Sequence, residues 1–355
     1  MEKARYYQEQ GSLLLAERTF FQLAEAARDE RSLKAALLEL ADFYHSTGQS
    51  LRAIRVMRSC FQQFPETARD AQNLYHLAEF YQSAGLSDYA IGLFYQVINR
   101  VVVGGPDALD KYLTVARMAK FEIARTHYES GDYKKAFEDF ERIDMLQLSR
   151  ENHEIILYYK ILAALKSAQP IVGQSLIQSF QEKFPNSEFL PELSYLRAEL
   201  LMAEGEVDAA SDLLIGILEN FEALVSDEND LDPAEVLFWK QKAGNRLANR
   251  YYAAGDYTVA LRIYQGLVGL SESPEWQLPV IYQMSLCFEK LGMYDRAKES
   301  LTYLIEDLEA LGSEGQNRLL EQLKSNASWR LKVVDWKEKA ELEAANLLNR
   351  SADST

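Results

Sequence analysis

The chain has 355 residues, a formal net charge of −16 and 48% hydrophobic residues. This balance is that of an ordinary folded protein and excludes disorder for most of the chain, while the acidic charge argues against a nucleic-acid partner, which needs a basic face. No stretch approaches the roughly 18 to 20 consecutive apolar residues of a membrane span, and a chain of this length forms either several domains or an elongated array.

Turn glycines recur along the chain at a nearly constant spacing. Gly11, Gly48 and Gly85 are 37 residues apart, and five of the seven intervals between successive turns have this length. The remaining turn positions are Gly131, Ala168, Gly205, Gly255 and Gly292. Glycine adopts the left-handed conformation that ends a helix, so each turn predicts a hairpin of two helices.

The residues around each turn repeat as well. Small residues stand seven before it, at Ala4, Ala41, Ala78, Ala124, Ile161, Ala198, Ala248 and Ser285, with Ile161 the exception. Residues five after it are small in every unit: Ala16, Ala53, Ala90, Ala136, Gly173, Ala210, Ala260 and Ala297. Bulky residues stand nine after it: Phe20, Met57, Phe94, Phe140, Ile177, Leu214, Tyr264 and Leu301. Small side chains let two helices cross closely while bulky neighbours fill the space beside them.

This pattern, with tyrosine frequent four residues before the turn, resembles the tetratricopeptide repeat family over roughly residues 1–312. The resemblance implies an all-α, right-handed α-solenoid of about seven to eight helical hairpins. It also implies that the first helices line a concave groove that holds a protein or peptide. The usual unit has about 34 residues, so the longer spacing here predicts longer helices or connections.

Taken in chain order, residues 1–312 are predicted to form the superhelix. Its first helix has only ten residues before Gly11, so we expect an incomplete first hairpin and a native protein that is longer at this end. Inserts are predicted near residues 101–110 and 225–233. Residues 313–350 are expected to form a capping helix, with Leu319, Leu320, Leu323, Ala327, Leu331 and Val334 on its apolar side. Residues 351–355 are a polar tail.

Both inserts invite a ligand-binding interpretation that the residues do not support. Val101–Pro106 resembles a strand entering a phosphate-binding loop, but no Gly-Lys-Ser/Thr follows, so we predict a linker. Asp227–Asp232 is acidic, yet Pro233 and Trp239 stand where a calcium loop needs glycine and its twelfth-position carboxylate. A solvated acidic loop is predicted there.

The histidines and cysteines do not form a catalytic or metal-binding pattern. His45, His76, His127 and His153 lack metal-ligand spacing, and His127 occupies the recurrent aromatic position, which predicts a buried ring. Cys60 and Cys287 are far apart, and Cys60 is expected to act as a small buried hydrophobic residue. We therefore predict no enzymatic activity, no cofactor and no metal.

Aromatic residues recur ten positions before the turn, on the helices that the resemblance places along the groove. They are Tyr75, Phe121, Tyr158, Tyr195 and Tyr282, with Leu38 and Asn245 in the other units. Two interpretations remain open: the rings contact a partner, or they pack against the neighbouring hairpin. Tyrosine rather than phenylalanine favours a half-wet position, because its hydroxyl needs a hydrogen-bonding partner.

The hairpin that turns at Gly255 carries a polar face in the same place. Its residues are Lys242, Asn245, Arg246 and Asn249, at helical spacing. Lys242 and Arg246 resemble one part of the carboxylate clamp of some repeat families, but Tyr158, Leu162 and Leu196 occupy the other required places. This face either binds an acidic partner segment or pairs with the acidic insert before it.

The leading functional hypothesis is a non-catalytic scaffold that holds a segment of another protein. The join at Phe184–Pro191, with a weaker copy at Phe64–Thr67, resembles bacterial exported repeat proteins of outer-membrane assembly, which implies a periplasmic or envelope location. The alternative is a regulatory arm of a larger protein whose other domain is absent. The sequence does not identify the partner or the oligomeric state.

Overall fold

The computed structural model describes residues 2–103, 105–143, 148–220, 232–311 and 318–352, and they form two compact units divided after Phe184. In the first unit the helices are α1 (Glu2–Glu9), α2 (Leu13–Glu25), α3 (Glu30–Ser46), α4 (Ser50–Gln63), α5 (Ala71–Ser83), α6 (Ser87–Val103), α7 (Gly105–Glu129), α8 (Tyr133–Glu141), α9 (Arg150–Lys166) and α10 (Pro170–Lys183). In the second unit they are α11 (Leu190–Glu204), α12 (Val207–Asn220), α13 (Pro233–Ala253), α14 (Tyr257–Val268), α15 (Pro274–Lys290), α16 (Tyr294–Ala310) and α17 (Arg318–Ala352). One 3₁₀ turn, Thr67–Arg69, completes the regular structure of these residues.

Each predicted turn joins two antiparallel helices, and its central residue is left-handed. The seven glycines have φ between 69° and 87°, and Ala168 has φ 59°. In every turn the N–H after this residue donates to the carbonyl of the residue four before it, as from Gln49 to Tyr44 at 2.8 Å. This bond satisfies a carbonyl that the end of a helix would otherwise leave unpaired. The predicted helical hairpins are confirmed.

The recurrent small and bulky residues form the inside of the hairpins. Every residue seven before and five after the turn is buried, and so is every residue nine after it. In the hairpin of Ala168, the position five after the turn is Gly173, where an added Cβ would lie only 2.1 Å from Leu165 Cδ2. The glycine is therefore explained by the close approach of Leu165, which occupies the space that an alanine methyl fills elsewhere.

The segment predicted as a linker near residue 101 is helical instead. Helix α6 continues to Val103 and α7 begins at Gly105. Most of the extra residues between the turns at Gly85 and Gly131 therefore lie in longer helices. Val101 is buried in the core of the first unit, which holds the end of α6 in place. Pro106 is the second residue of α7, where its missing N–H would have no partner within the helix in any case. Residues 221–231, which include most of the acidic insert, lie outside the described residues.

The predicted capping helix is α17, which packs along α16 in the second unit. Leu320, Ala327 and Val334 recur every seven residues and are fully buried or nearly so. Leu319 was expected on the same side but is 76% exposed, because it lies about 100° around the helix from Leu320. Tail residues 353–355 lie outside the described residues.

Replacing Ala168 with glycine is expected to stabilise the first unit by about 0.5–1 kcal/mol. A left-handed alanine costs about 1–2 kcal/mol, and the greater freedom of glycine in the unfolded chain offsets only part of that gain. Urea denaturation followed by circular dichroism measures the change. The matched control is Gly131→Ala in the preceding hairpin, which should lower stability by about 1 kcal/mol. A loss of stability in Ala168→Gly would contradict the assignment of strain to this turn.

Candidate functional site

Two of the predicted groove rings in the first unit are buried. Tyr75 is 9% exposed and packs against Phe94 with ring centres 5.5 Å apart. Phe121 is 2% exposed and packs against Phe140 at 6.0 Å. These two rings belong to the core, so they offer almost no area to a partner. Tyr158 differs, since it is half-buried and lies edge-on to Tyr159 at 5.4 Å.

A polar strip lies next to these rings on the first helices of the first unit. Residues nine and six before the turn supply it in three successive hairpins: Glu39 and Asp42, His76 and Glu79, Glu122 and Arg125. His76 Nδ1 lies 3.1 Å from Glu79 Oε2, and Arg125 Nη2 lies 2.8 Å from Glu122 Oε2. The sequence analysis proposed the aromatic positions as groove residues and did not identify this neighbouring strip. The same repeat alignment would have revealed it.

Three side chains of the strip, Asp42, His76 and Glu122, hold protons more tightly than free side chains do. Burial raises the pKa of Glu122 to about 7, although the charge of Arg125 acts in the opposite direction. The hydrogen bond that His76 donates to Glu79 is the main cause that raises the pKa of His76, and burial raises the pKa of Asp42. The charge of this face therefore changes near neutral pH.

In the second unit, Lys242 lies among aromatic rings contributed by α11 and α13. Its Nζ is 4.6 Å from the ring centre of Trp239, 4.7 Å from that of Tyr195 and 5.5 Å from that of Phe238. The Lys242 side chain is nevertheless exposed, and Tyr195 is half-buried. An ammonium group over several ring faces is held by cation–π attraction and can still meet a negatively charged group from solvent.

The other polar residues of this face have individual partners in the structure. Arg246 Nε lies 2.5 Å from Glu199 Oε1 on α11, and Asn249 Oδ1 accepts a hydrogen bond of 2.6 Å from Tyr264. Burial raises the pKa of Tyr195, and Glu199 adds to the effect. The expected alternative partner of this face, the acidic insert, lies largely in residues 221–231 and so outside the described residues. Asn245 and Tyr282 are each half-buried.

Trp239 and Phe238 are the members of this cluster that the sequence interpretation missed. Trp239 is 6% exposed, and its ring packs against Tyr195 with centres 5.7 Å apart. Phe238 is exposed beside it. Their signal was present, because Trp239, Lys242 and Arg246 stand three and four residues apart and thus share one helical face.

The histidine and cysteines singled out in the sequence are structural. His127 is buried and its Nδ1 lies 2.8 Å from Asp139 Oδ2, which confirms the predicted buried ring. Both cysteines are fully buried, and burial raises the pKa of Cys287 to about 11, which suppresses the reactive thiolate. Within the described ranges, no group of three or more His, Cys, Asp or Glu residues has metal-binding geometry, and no helix is long and apolar enough to cross a membrane.

Known proteins that resemble this chain contain tetratricopeptide repeats. A sequence model described as a tetratricopeptide repeat matches residues 280–307, which lie in the hairpin of α15 and α16. The C-terminal part of a TPR repeat-containing protein from Cytophaga hutchinsonii has a similar fold, with a TM-score of 0.58 and 13% identity; the match covers 79% of this chain and 98% of that one. The chain therefore has the fold of tetratricopeptide repeat proteins, and residues 280–307 also match the sequence model of this repeat.

A tetratricopeptide repeat protein from Parabacteroides merdae is also similar, with 14% identity and a TM-score of 0.44, over 83% of this chain and 98% of that one. Among curated proteins, none matches this chain. At these identities the likeness concerns the tetratricopeptide repeat fold alone.

Proposed function

We propose that the chain is a non-catalytic scaffold whose first helices hold segments of a partner protein. The observation that carries the proposal is the cluster around Lys242, in which an exposed ammonium lies over three rings. Rings supply contact area at a low cost in conformational entropy, and Tyr, Trp and Arg are enriched among the residues that dominate binding energy. The cluster suits a partner segment that carries a carboxylate beside apolar side chains.

The residues proposed to contact the partner are exposed or half-buried. The first unit contributes Tyr158, and the second unit contributes Tyr195, Lys242, Asn245 and Tyr282. Arg246 and Asn249 are assigned a supporting role, because Glu199 and Tyr264 already hold their side chains.

Replacing Tyr158 and Tyr195 with alanine is expected to weaken binding of a captured partner by roughly 1 to 3 kcal/mol in total, with helicity unchanged. The partner is identified by affinity capture and mass spectrometry, and its dissociation constant is then measured by calorimetry. The matched control is Tyr303→Ala, which removes an exposed tyrosine from the second helix of the last hairpin. A strong fall in melting temperature with unchanged affinity would show that the rings are core.

Charge reversal tests the lysine separately. Lys242→Glu is expected to slow association with the partner and to reduce the dependence of the association rate on salt. Stopped-flow measurements at two ionic strengths provide both quantities, and Lys332→Glu, on an exposed site of α17, is the control. Equal rates for the wild type and Lys242→Glu would remove the lysine from the binding surface.

We also propose that this scaffold acts in the bacterial cell envelope. The support is the pair of joins at Phe64–Thr67 and Phe184–Ser187, in which the phenylalanine and the hydroxyl residue are buried in both copies. Fractionation of the source cells followed by immunodetection of the native protein tests the location. Recovery in the cytoplasm alone would contradict it.

A further inference from the structure

A channel runs along one face of α6 in the first unit, away from the first-helix surface. Two adjacent cavities of about 440 and 560 Å³ form it and share Gln96 as a lining residue. The lining residues of α6, from Asp88 past Gly92 to Val103, follow one another in steps of one or three positions, so they lie along a single face. Helix α6 is the second helix of its hairpin, which separates this channel from the proposed partner-binding rings.

The two ends of the channel differ in chemistry. One cavity is mainly apolar, with Phe61, Leu77, Tyr81, Tyr89 and Leu93 in its lining and Asp88 as the one carboxylate among its described lining residues. Gly92 lies in this lining, and a Cβ placed there would meet nothing within 4 Å. The missing side chain therefore leaves the cavity open toward solvent.

The other cavity is cationic. Arg69 and Arg100 line it together with Asn99 and Gln96, while Arg58 lines the apolar cavity next to it. All three arginines are exposed, and none has an ion-pair partner among the residues that the structure describes. Asp70 is adjacent, but its carboxylate already accepts hydrogen bonds from Tyr112 and from two backbone N–H groups.

We propose that this channel binds an acidic segment of a partner protein, with carboxylates on Arg69 and Arg100 and an apolar side chain beside Gly92. The charges are complementary: in a chain of net charge −16, arginines along a channel that lack an ion-pair partner among the described residues favour an acidic occupant. Guanidinium groups match carboxylates in a bidentate geometry. From Asp88 to Val103 the face is about 22 Å long at 1.5 Å per residue, which an extended segment of about seven residues spans.

The test uses a fluorescent peptide of about seven residues, with Glu at one end and a single Phe at the other, and measures its binding by anisotropy. We expect binding that weakens as salt rises, and no binding of a peptide in which Lys replaces each Glu. Gly92→Leu should lower affinity about tenfold by filling the apolar cavity, without loss of stability, because leucine has the higher helix propensity. Gly266→Leu is the matched control on an exposed helical glycine of α14 and should leave affinity unchanged.

Arg100→Glu should also lower affinity about tenfold, whereas Lys332→Glu, at an exposed site of α17, should have no effect. Unchanged affinity in Arg100→Glu together with a loss of affinity in Lys242→Glu would place the acidic peptide on the lysine cluster and would overturn the channel. Absence of peptide binding at about 1 mM would overturn it as well, since that corresponds to only about 4 kcal/mol. Self-association of the chain that Gly92→Leu abolishes would identify a second copy, not a partner protein, as the occupant.

Discussion

Replacing Arg330 and Lys337 together with methionine is expected to lower the free energy of unfolding of the second unit by about 3–5 kcal/mol. Both cations lie on α17, seven residues apart and thus on one face, and both contact Glu289 of α15. Arg330 Nε is 2.5 Å and Lys337 Nζ 2.6 Å from its carboxylate oxygens, and the Glu289 side chain is fully buried. Without the cations, Glu289 would keep a charge in a site that water does not reach.

The magnitude depends on that uncompensated charge, so a third substitution should reverse most of the effect. Adding Glu289→Leu to the double variant removes all three charged groups, and replacing a buried ion pair by apolar groups is often close to neutral. Urea denaturation of the three proteins measures this coupling. A triple variant as unstable as the double variant would mean that lost packing, and not the buried charge, causes the loss.

Lys324→Met on the same helix is the matched control. Lys324 lies 3.2 Å from Glu309, but the Glu309 side chain is more than half exposed. Exposed pairs contribute about 0–1 kcal/mol, so this change should be nearly silent. Comparison of the two sites separates the buried carboxylate from the general charge of α17.

The turns could be predicted from the sequence because their cause is local. A left-handed residue at the end of a helix needs glycine, or an alanine that tolerates strain, and this requirement does not depend on distant residues. Close crossing of the paired helices likewise needs small residues at fixed offsets. The alignment therefore identified Ala168 as the equivalent of a turn glycine, and the structure gives it φ 59°.

The functional surface was harder to predict because exposure depends on the neighbouring hairpin. Tyr75 and Tyr158 occupy the same position of the repeat, yet Tyr75 is buried against Phe94 and Tyr158 is only half-buried. Both tyrosines stand ten residues before their turn, so their position in the repeat does not predict which of them is exposed. The ion pair of Arg246 with Glu199 also joins two hairpins, and their 47-residue separation hid it from the sequence.

The first unit is expected to become more stable as the pH falls from 8 to 5, the opposite of ordinary acid denaturation. Glu122 is 4% exposed, and burial raises its folded pKa to about 7, above the usual value near 4.5. The folded state therefore binds a proton more tightly, and the associated stability is present below pH 4.5 and lost as the pH rises through 7. His76 and Asp42 also have raised pKa values, so they act in the same direction.

Glu122→Gln tests this expectation, because glutamine mimics the protonated carboxyl at every pH. At pH 5 the variant should match the wild type, and at pH 8 it should be more stable by roughly 3 kcal/mol, the free energy that separates a pKa of about 7 from one of 4.5. Urea midpoints at the two pH values provide the comparison, with the exposed Glu151→Gln on α9 as control. A variant that is less stable than the wild type at pH 8 would contradict this expectation. It would mean that the ion pair with Arg125, 2.8 Å away, outweighs the desolvation of Glu122.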